Sequence, residues 1–157
     1  MKVEGEVQEG DAAPDFTLPS SSGNKVKLSS LKGKNVVLYF YPEDDTSGCT
    51  KEACAFRDNL PKFNNLDATI LGVSKDSLDS HDRFIKKYGL NFTLLSDKDL
   101  VAHKLYGTWK EKNMYGRKYW GTERSTFVID KKGVVRKVFR KVKVDGHETQ
   151  VLEALAS

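Results

Sequence analysis

The chain has two cysteines, Cys49 and Cys54, and both fall within one short segment, residues 39–54, that reads YFYPEDDTSGCTKEAC. A sulfur nucleophile is the chemistry to test first. Cys49 is flanked by Thr46, Ser47, Gly48 and Thr50 rather than by an apolar run, which argues against a thiol kept only as a small buried hydrophobe. It also stands where a strand and an acidic loop give way to a helical pattern. The first four N–H groups of a helix have no partner within it, and with the helix dipole they form an anion site. A thiolate is such an anion, and cysteines at helix starts ionise with pKa values of about 3.5–7.5.

Cys54 follows five positions later. On an ideal helix that is a turn of about 140° and a rise of about 7.5 Å. The two Cα atoms would then lie roughly 8.7 Å apart, beyond the ~7 Å that a disulfide spans without backbone movement. If Cys54 takes part in the chemistry, the first helical turns must unwind and rewind.

The elements that must position these residues can be read from periodicity. Val36–Tyr41 (VVLYFY) is β-branched and aromatic throughout, the pattern of a central strand buried on both faces. From Thr50 to Leu66, apolar residues at Ala53, Phe56, Leu60 and Phe63 predict an amphipathic helix, bent or broken at Pro61. Ala68–Val73 predicts a second buried strand and Ser77–Tyr88 a helix ending at Gly89. A short strand over Phe92–Leu95, a helix over Lys98–Tyr106 and a closing helix over Gln150–Leu155 complete the alternation. Hairpins are expected at Asp15–Leu28 and at Thr126–Phe139. Strands alternating with helices imply a parallel core, and the late hairpin adds an antiparallel part. The fold class is α/β, a single domain over residues 1–157 with a mixed sheet and helices on both faces.

Composition narrows the function further. At 157 residues, a chain can bury a full core without disulfide staples. The longest apolar run, Val36–Tyr41, is far short of a membrane helix, and the first fifteen residues are acidic and broken rather than signal-like. No membrane association and a cytoplasmic setting are the expectations. The net charge is +4, much of it in Lys131–Lys143, where cations alternate with Val and Phe. An edge ribbon guarded by lysines explains this, and no nucleic-acid-reading motif accompanies it. His81, His103 and His147 are scattered, so no metal site is expected, and His103 reads as a surface or half-buried residue. Asp44 and Asp45 read as a solvated turn. Trp109, Tyr115, Tyr119 and Trp120 read as an aromatic loop. No cofactor motif is present, and the lack of an evident apolar patch suggests a monomer.

The stretches KGKNVVLYFYP, PEDDTSGCTKEACAFRD and MYGRKYWGTERSTFVID together resemble the peroxiredoxins, most closely the peroxiredoxin Q group, also called bacterioferritin comigratory protein. The resemblance runs from about Gly10 to the C-terminus. It implies a thioredoxin-like three-layer sandwich and reduction of hydrogen peroxide and organic hydroperoxides, with thioredoxin or a similar dithiol as reductant. Cys49 would be the peroxidatic cysteine, oxidised to a sulfenic acid, and Cys54 the resolving cysteine that closes a disulfide with it. Thr46 would offer its hydroxyl to peroxide and thiolate, Pro42 would wall the pocket, and Arg124 would hold the thiolate and the peroxide oxygens. Gly48 would let substrate approach. Ser47 stands where the family usually has proline, which removes a fixed φ from the loop, and Trp120 and Thr122 depart from more usual apolar residues. A thiol–disulfide exchange protein could use the same cysteines, but it would not need Thr46 and Arg124. A copper- or partner-binding module would want C-x-x-x-C and a later histidine.

Overall fold

The apolar run at Val36 becomes the middle strand of a five-stranded sheet in a computed structural model that describes residues 6–157. In chain order the elements begin with β1 (Thr17–Pro19), β2 (Lys25–Lys27), a 3-10 turn (Leu28–Leu31) and β3 (Asn35–Phe40). Next come α1 (Ser47–Asp58), α2 (Leu60–Asn65), β4 (Ala68–Ser74), α3 (Leu78–Tyr88), β5 (Thr93–Ser96) and α4 (Val101–Tyr106). The chain closes with β6 (Trp109–Met114), β7 (Arg117–Thr122), β8 (Ser125–Ile129), β9 (Val135–Phe139) and α5 (His147–Ala156). The sheet order is β5-β4-β3-β8-β9. β3, β4 and β5 run parallel, while β8 and β9 are antiparallel to their neighbours. Of the first fifteen residues, read as acidic and broken, the first five lie outside the described residues.

Period-two alternation along β3 sends its side chains into two cores. Val36, Leu38 and Phe40 pack with Ala102 and Tyr106 of α4, and with Phe16, Leu18 and Leu28. Val37, Tyr39 and Tyr41 pack with Phe56 of α1, Phe63 of α2, Phe84 of α3 and Val151 of α5. Helices therefore cover both faces of the mixed sheet, the expected α/β sandwich. The helix predicted over 50–66 is two helices, with the break at Asn59 and Pro61 at the start of the second. A proline there loses nothing, because N–H groups at a helix start have no intrahelical partner. At the start of α3, Ser77 accepts a hydrogen bond from the Ser80 N–H, a cap typically worth about 1 kcal/mol.

Three expectations need correction. The aromatic segment after Trp109 is a hairpin, β6–β7, rather than a loop. Tyr115 (φ 53°) and Gly116 (φ 80°) supply the two left-handed residues of a tight hairpin turn. Second, His103, expected at or near the surface, is buried, as are His81 and His147. His103 lies between Asp97 and the Thr122 hydroxyl, and His147 between Thr126 and Gln150. Third, Asp44 is buried, not solvated. Among the described residues, no group of three or more potential metal ligands is found and no helix is long and apolar enough to cross a membrane. The basic ribbon does lie on an edge strand, β9, with Arg136 and Lys137 exposed.

Candidate active site

Chain direction explains how the site assembles. β3 delivers the backbone to Pro42, the loop 42–46 turns it, and α1 starts at Ser47 with Thr46 as its capping residue. Cys49 is therefore the third residue of α1, among the N–H groups that a helix leaves unpaired. Its thiol is buried, 2% exposed, against Tyr39, Tyr41, Ala53 and Phe56. Arg124 is 75 residues away in sequence, but it immediately precedes β8. Because Ser125 pairs with Phe40 across β3 and β8, the arginine is carried to the same end of the sheet as the loop.

There the guanidinium forks. Nη2 donates to Cys49 Sγ at 3.2 Å and Nη1 donates to Glu52 Oε1 at 2.6 Å. Burial works against the Arg124 charge, but Glu52 and Cys49 outweigh it and hold the group above the ordinary arginine value. Gly48 gives the fork room, since a Cβ at this position would stand 3.3 Å from Nη2, closer than an ordinary contact. The room that sequence reasoning gave to the substrate is thus also needed by the arginine.

Glu52 is a residue that sequence reasoning missed. It lies three positions after Cys49 on α1, a spacing that puts both on one helix face, and that spacing was the available signal. It is 2% exposed, and its Oε2 is buried without a hydrogen-bond partner among the described residues. Burial raises its pKa to about 7, with Arg124 pulling the other way. The consequence for pH follows from linkage. Below about 4.5, the usual glutamate value, Glu52 holds a proton whether α1 is wound or unwound. Between there and about 7, only the wound helix keeps it, so the wound state loses stability as pH rises. The loss is at most about 1.4 kcal/mol per pH unit and levels off above the raised value. Any step that unwinds α1 should therefore accelerate between pH 5 and pH 8, and Glu52→Gln should remove that component. Thiol ionisation acts in both proteins, so the difference between their pH slopes in stopped-flow disulfide formation is the readout. Equal slopes would contradict this role for Glu52.

The loop before α1 is held by its acids. Asp44 accepts from the Tyr41 hydroxyl at 2.5 Å, the Ser80 hydroxyl at 2.8 Å and His81 Nδ1 at 2.7 Å. Its own N–H donates to Asp76 at 2.8 Å. His81 Nε2 faces the Leu95 carbonyl at 2.9 Å, so both ring nitrogens meet acceptors. Burial opposes a charge on this ring, but Asp44 prevails and raises its pKa. Asp45 meets Lys87 and Tyr88. The pair therefore clamps the loop onto α3. Thr46 is exposed, and its hydroxyl donates to the Glu43 carbonyl at 2.9 Å rather than to the sulfur. With its proton given to Glu43, the Thr46 oxygen keeps the capacity to accept a hydrogen bond. Pro42 is half-buried at the end of β3, and Ser47 is exposed at the first helical position.

Cys54 is half-buried further along the same unbroken α1, and both cysteines are free. A thiol on a helix start with an arginine donor on its sulfur, and a second thiol on the same helix, is a constellation for redox chemistry at sulfur. The AhpC/TSA family model matches residues 9–138. The chain belongs to that family. Peroxiredoxin Bcp of Bacillus subtilis (strain 168) is 48% identical over 149 residues, spanning 95% of this chain and 95% of that protein. Structures of the Xanthomonas campestris bacterioferritin comigratory protein, solved with trapped intermediates and ligands to address its alkyl peroxide reduction, align with TM-score 0.86 at 45% identity, covering 90% of each chain. A Xylella fastidiosa PrxQ mutant aligns with TM-score 0.91 at 39% identity over 96% of each chain. This peroxiredoxin is of the Q/Bcp group, a thiol peroxidase on a thioredoxin-like fold.

Proposed function

We propose that Cys49 is the peroxidatic cysteine and Cys54 the resolving one, and that a dithiol protein of the thioredoxin type restores both. The Arg124–Cys49 contact of 3.2 Å at the start of α1 carries this reading. The Cys49 thiolate attacks one peroxide oxygen, the O–O bond breaks, and the other oxygen departs as hydroxide or alkoxide and takes up a proton. Arg124 orients the oxygens and stabilises the developing charge, helped by the backbone N–H groups near Gly48 and Cys49. Thr46 accepts the peroxide O–H, and Pro42 shields the sulfur from water. The sulfenic acid at Cys49 is then attacked by Cys54, releasing water and forming the S–S bond.

Hydrogen peroxide and organic hydroperoxides are the proposed substrates, the latter supported by the alkyl peroxide reduction of the Xanthomonas relative. A monomer acting as a single domain is the proposed form. Dependence on a dithiol donor suits the cytoplasm, where such reductants are maintained. No metal or cofactor enters this chemistry. The test is peroxide-dependent NADPH oxidation with thioredoxin and its reductase. Wild-type protein should turn over repeatedly. Cys54→Ser should lose ~90% or more of this coupled turnover yet still consume its first equivalent of peroxide, because resolution and not attack is blocked. Full thioredoxin-coupled activity in Cys54→Ser would refute the role given to Cys54.

A further inference from the structure

Arg124 is the cation on the sulfur, but its other arm is tied to Glu52. A second cation reaches the same corner from the β6–β7 hairpin. Lys112, opposite Tyr119 in the hairpin register, is half-buried and donates to the Thr122 carbonyl at 2.6 Å. Thr122 is two residues before Arg124. To get there the Lys112 stem crosses Gly121. A Cβ at position 121 would stand 3.6 Å from its Cδ, 3.8 Å from its Cε and 3.4 Å from the Tyr119 ring. The lysine stem thus runs alongside the backbone at Gly121 on its way to Thr122.

The charges facing Lys112 are Arg124, Glu123 and Cys49. Burial first, then Arg124, holds its pKa below the ordinary lysine value, while Glu123 and Cys49 oppose that shift. The nearby acids have other cations within reach: Glu123 faces Arg140 at 3.6 Å, and Glu111 faces Lys118 at 3.8 Å. An ammonium has three hydrogens to donate, and its close partner in this structure is a neutral carbonyl.

We propose that Lys112 is a second cation of the peroxidatic site, stabilising negative charge as it passes from Cys49 to the departing peroxide oxygen. The inference rests on Cys49 being the nucleophile. In that step the S–O bond forms, the O–O bond breaks, and its electron pair leaves on the hydroxide or alkoxide, which is protonated by solvent. A positive charge held at the Thr122 carbonyl, two residues from Arg124 and in a half-buried corner, acts on that anion more strongly than the same charge in water. With one arm of Arg124 held by Glu52, Lys112 is a further cation able to answer the anion.

Stopped-flow oxidation of the reduced enzyme at low ionic strength tests this. Lys112→Gln keeps a donor for the Thr122 carbonyl but removes the charge, and should slow the second-order reaction on the order of tenfold, less than the loss of a direct oxyanion donor. Lys112→Arg should stay within about threefold of wild type, and added salt should narrow the gap between wild type and Lys112→Gln. Lys118→Met, on the exposed side of the same hairpin, should leave the rate unchanged. A Lys112→Gln enzyme as fast as wild type, or a Lys112→Arg enzyme as slow as Lys112→Gln, would overturn the proposal and leave Lys112 as a pin for the hairpin. Failure of the underlying reading looks different, because wild-type Cys49 would then not be consumed by peroxide at all.

Discussion

Replacing Cys49 with serine should abolish peroxide turnover, leaving ~1% or less of wild-type activity, because a serine hydroxyl does not ionise at neutral pH and is a far weaker nucleophile than a thiolate. The substitution is conservative in volume. Cys49 sits in a tight cluster with Ala53, Phe56 and Tyr39, and serine fits that space while still accepting from Arg124. Loss of activity with a retained melting temperature would therefore report on chemistry alone. Cys54 remains in this variant, half-buried on α1, without the arginine contact given to Cys49. Turnover above a few per cent of wild type in Cys49→Ser, measured by peroxide consumption, would remove Cys49 from the role of nucleophile.

Arg124→Lys should lower the second-order rate with peroxide by ~10²-fold, the scale of a lost oxyanion donor. Charge is conserved in this change and geometry is not. The guanidinium reaches Glu52 with one nitrogen and Cys49 with the other, and a single ammonium cannot reproduce a planar fork. The stability consequence is separate. Glu52 is 2% exposed and the Arg124 side chain 16%, and a buried acid whose partner is weakened destabilises its surroundings. Arg124→Lys should therefore also lower the melting temperature, most at alkaline pH, where Glu52 is ionised. A rate within about threefold of wild type would show that the fork is not needed for attack.

Much of the scaffold was legible because its signals are local. The run VVLYFY has no polar position, as a strand covered on both faces must not, and its residues divide between the two cores. Ser77 and the apolar positions of α3 marked that helix, and Pro61 marked the α1–α2 break. The β6–β7 hairpin was not legible because neither face is continuously apolar. Met114, Tyr115, Tyr119 and Trp120 are exposed on it. His103 and Asp44 were misread because partners that hold them lie at a distance in sequence. His81 meets Asp44 across 37 positions, and His103 meets Thr122 across 19. No window of local sequence contains both halves of such a pair. Arg124 was assigned through family resemblance and not through spacing, and the pairing of Phe40 with Ser125 supplies its physical reason. Glu52 could have been found, since an acid one helical turn from a thiolate needs a counter-charge.

The most direct test of the account is to trap the first oxidised species. Reduced Cys54→Ser protein is treated with one equivalent of hydrogen peroxide in the presence of dimedone, then digested and mapped by mass spectrometry. Attack by the thiolate at the start of α1 predicts a dimedone adduct on the peptide carrying Cys49, in close to one-to-one yield with peroxide consumed. An unmodified Cys49 with peroxide remaining in solution would contradict it.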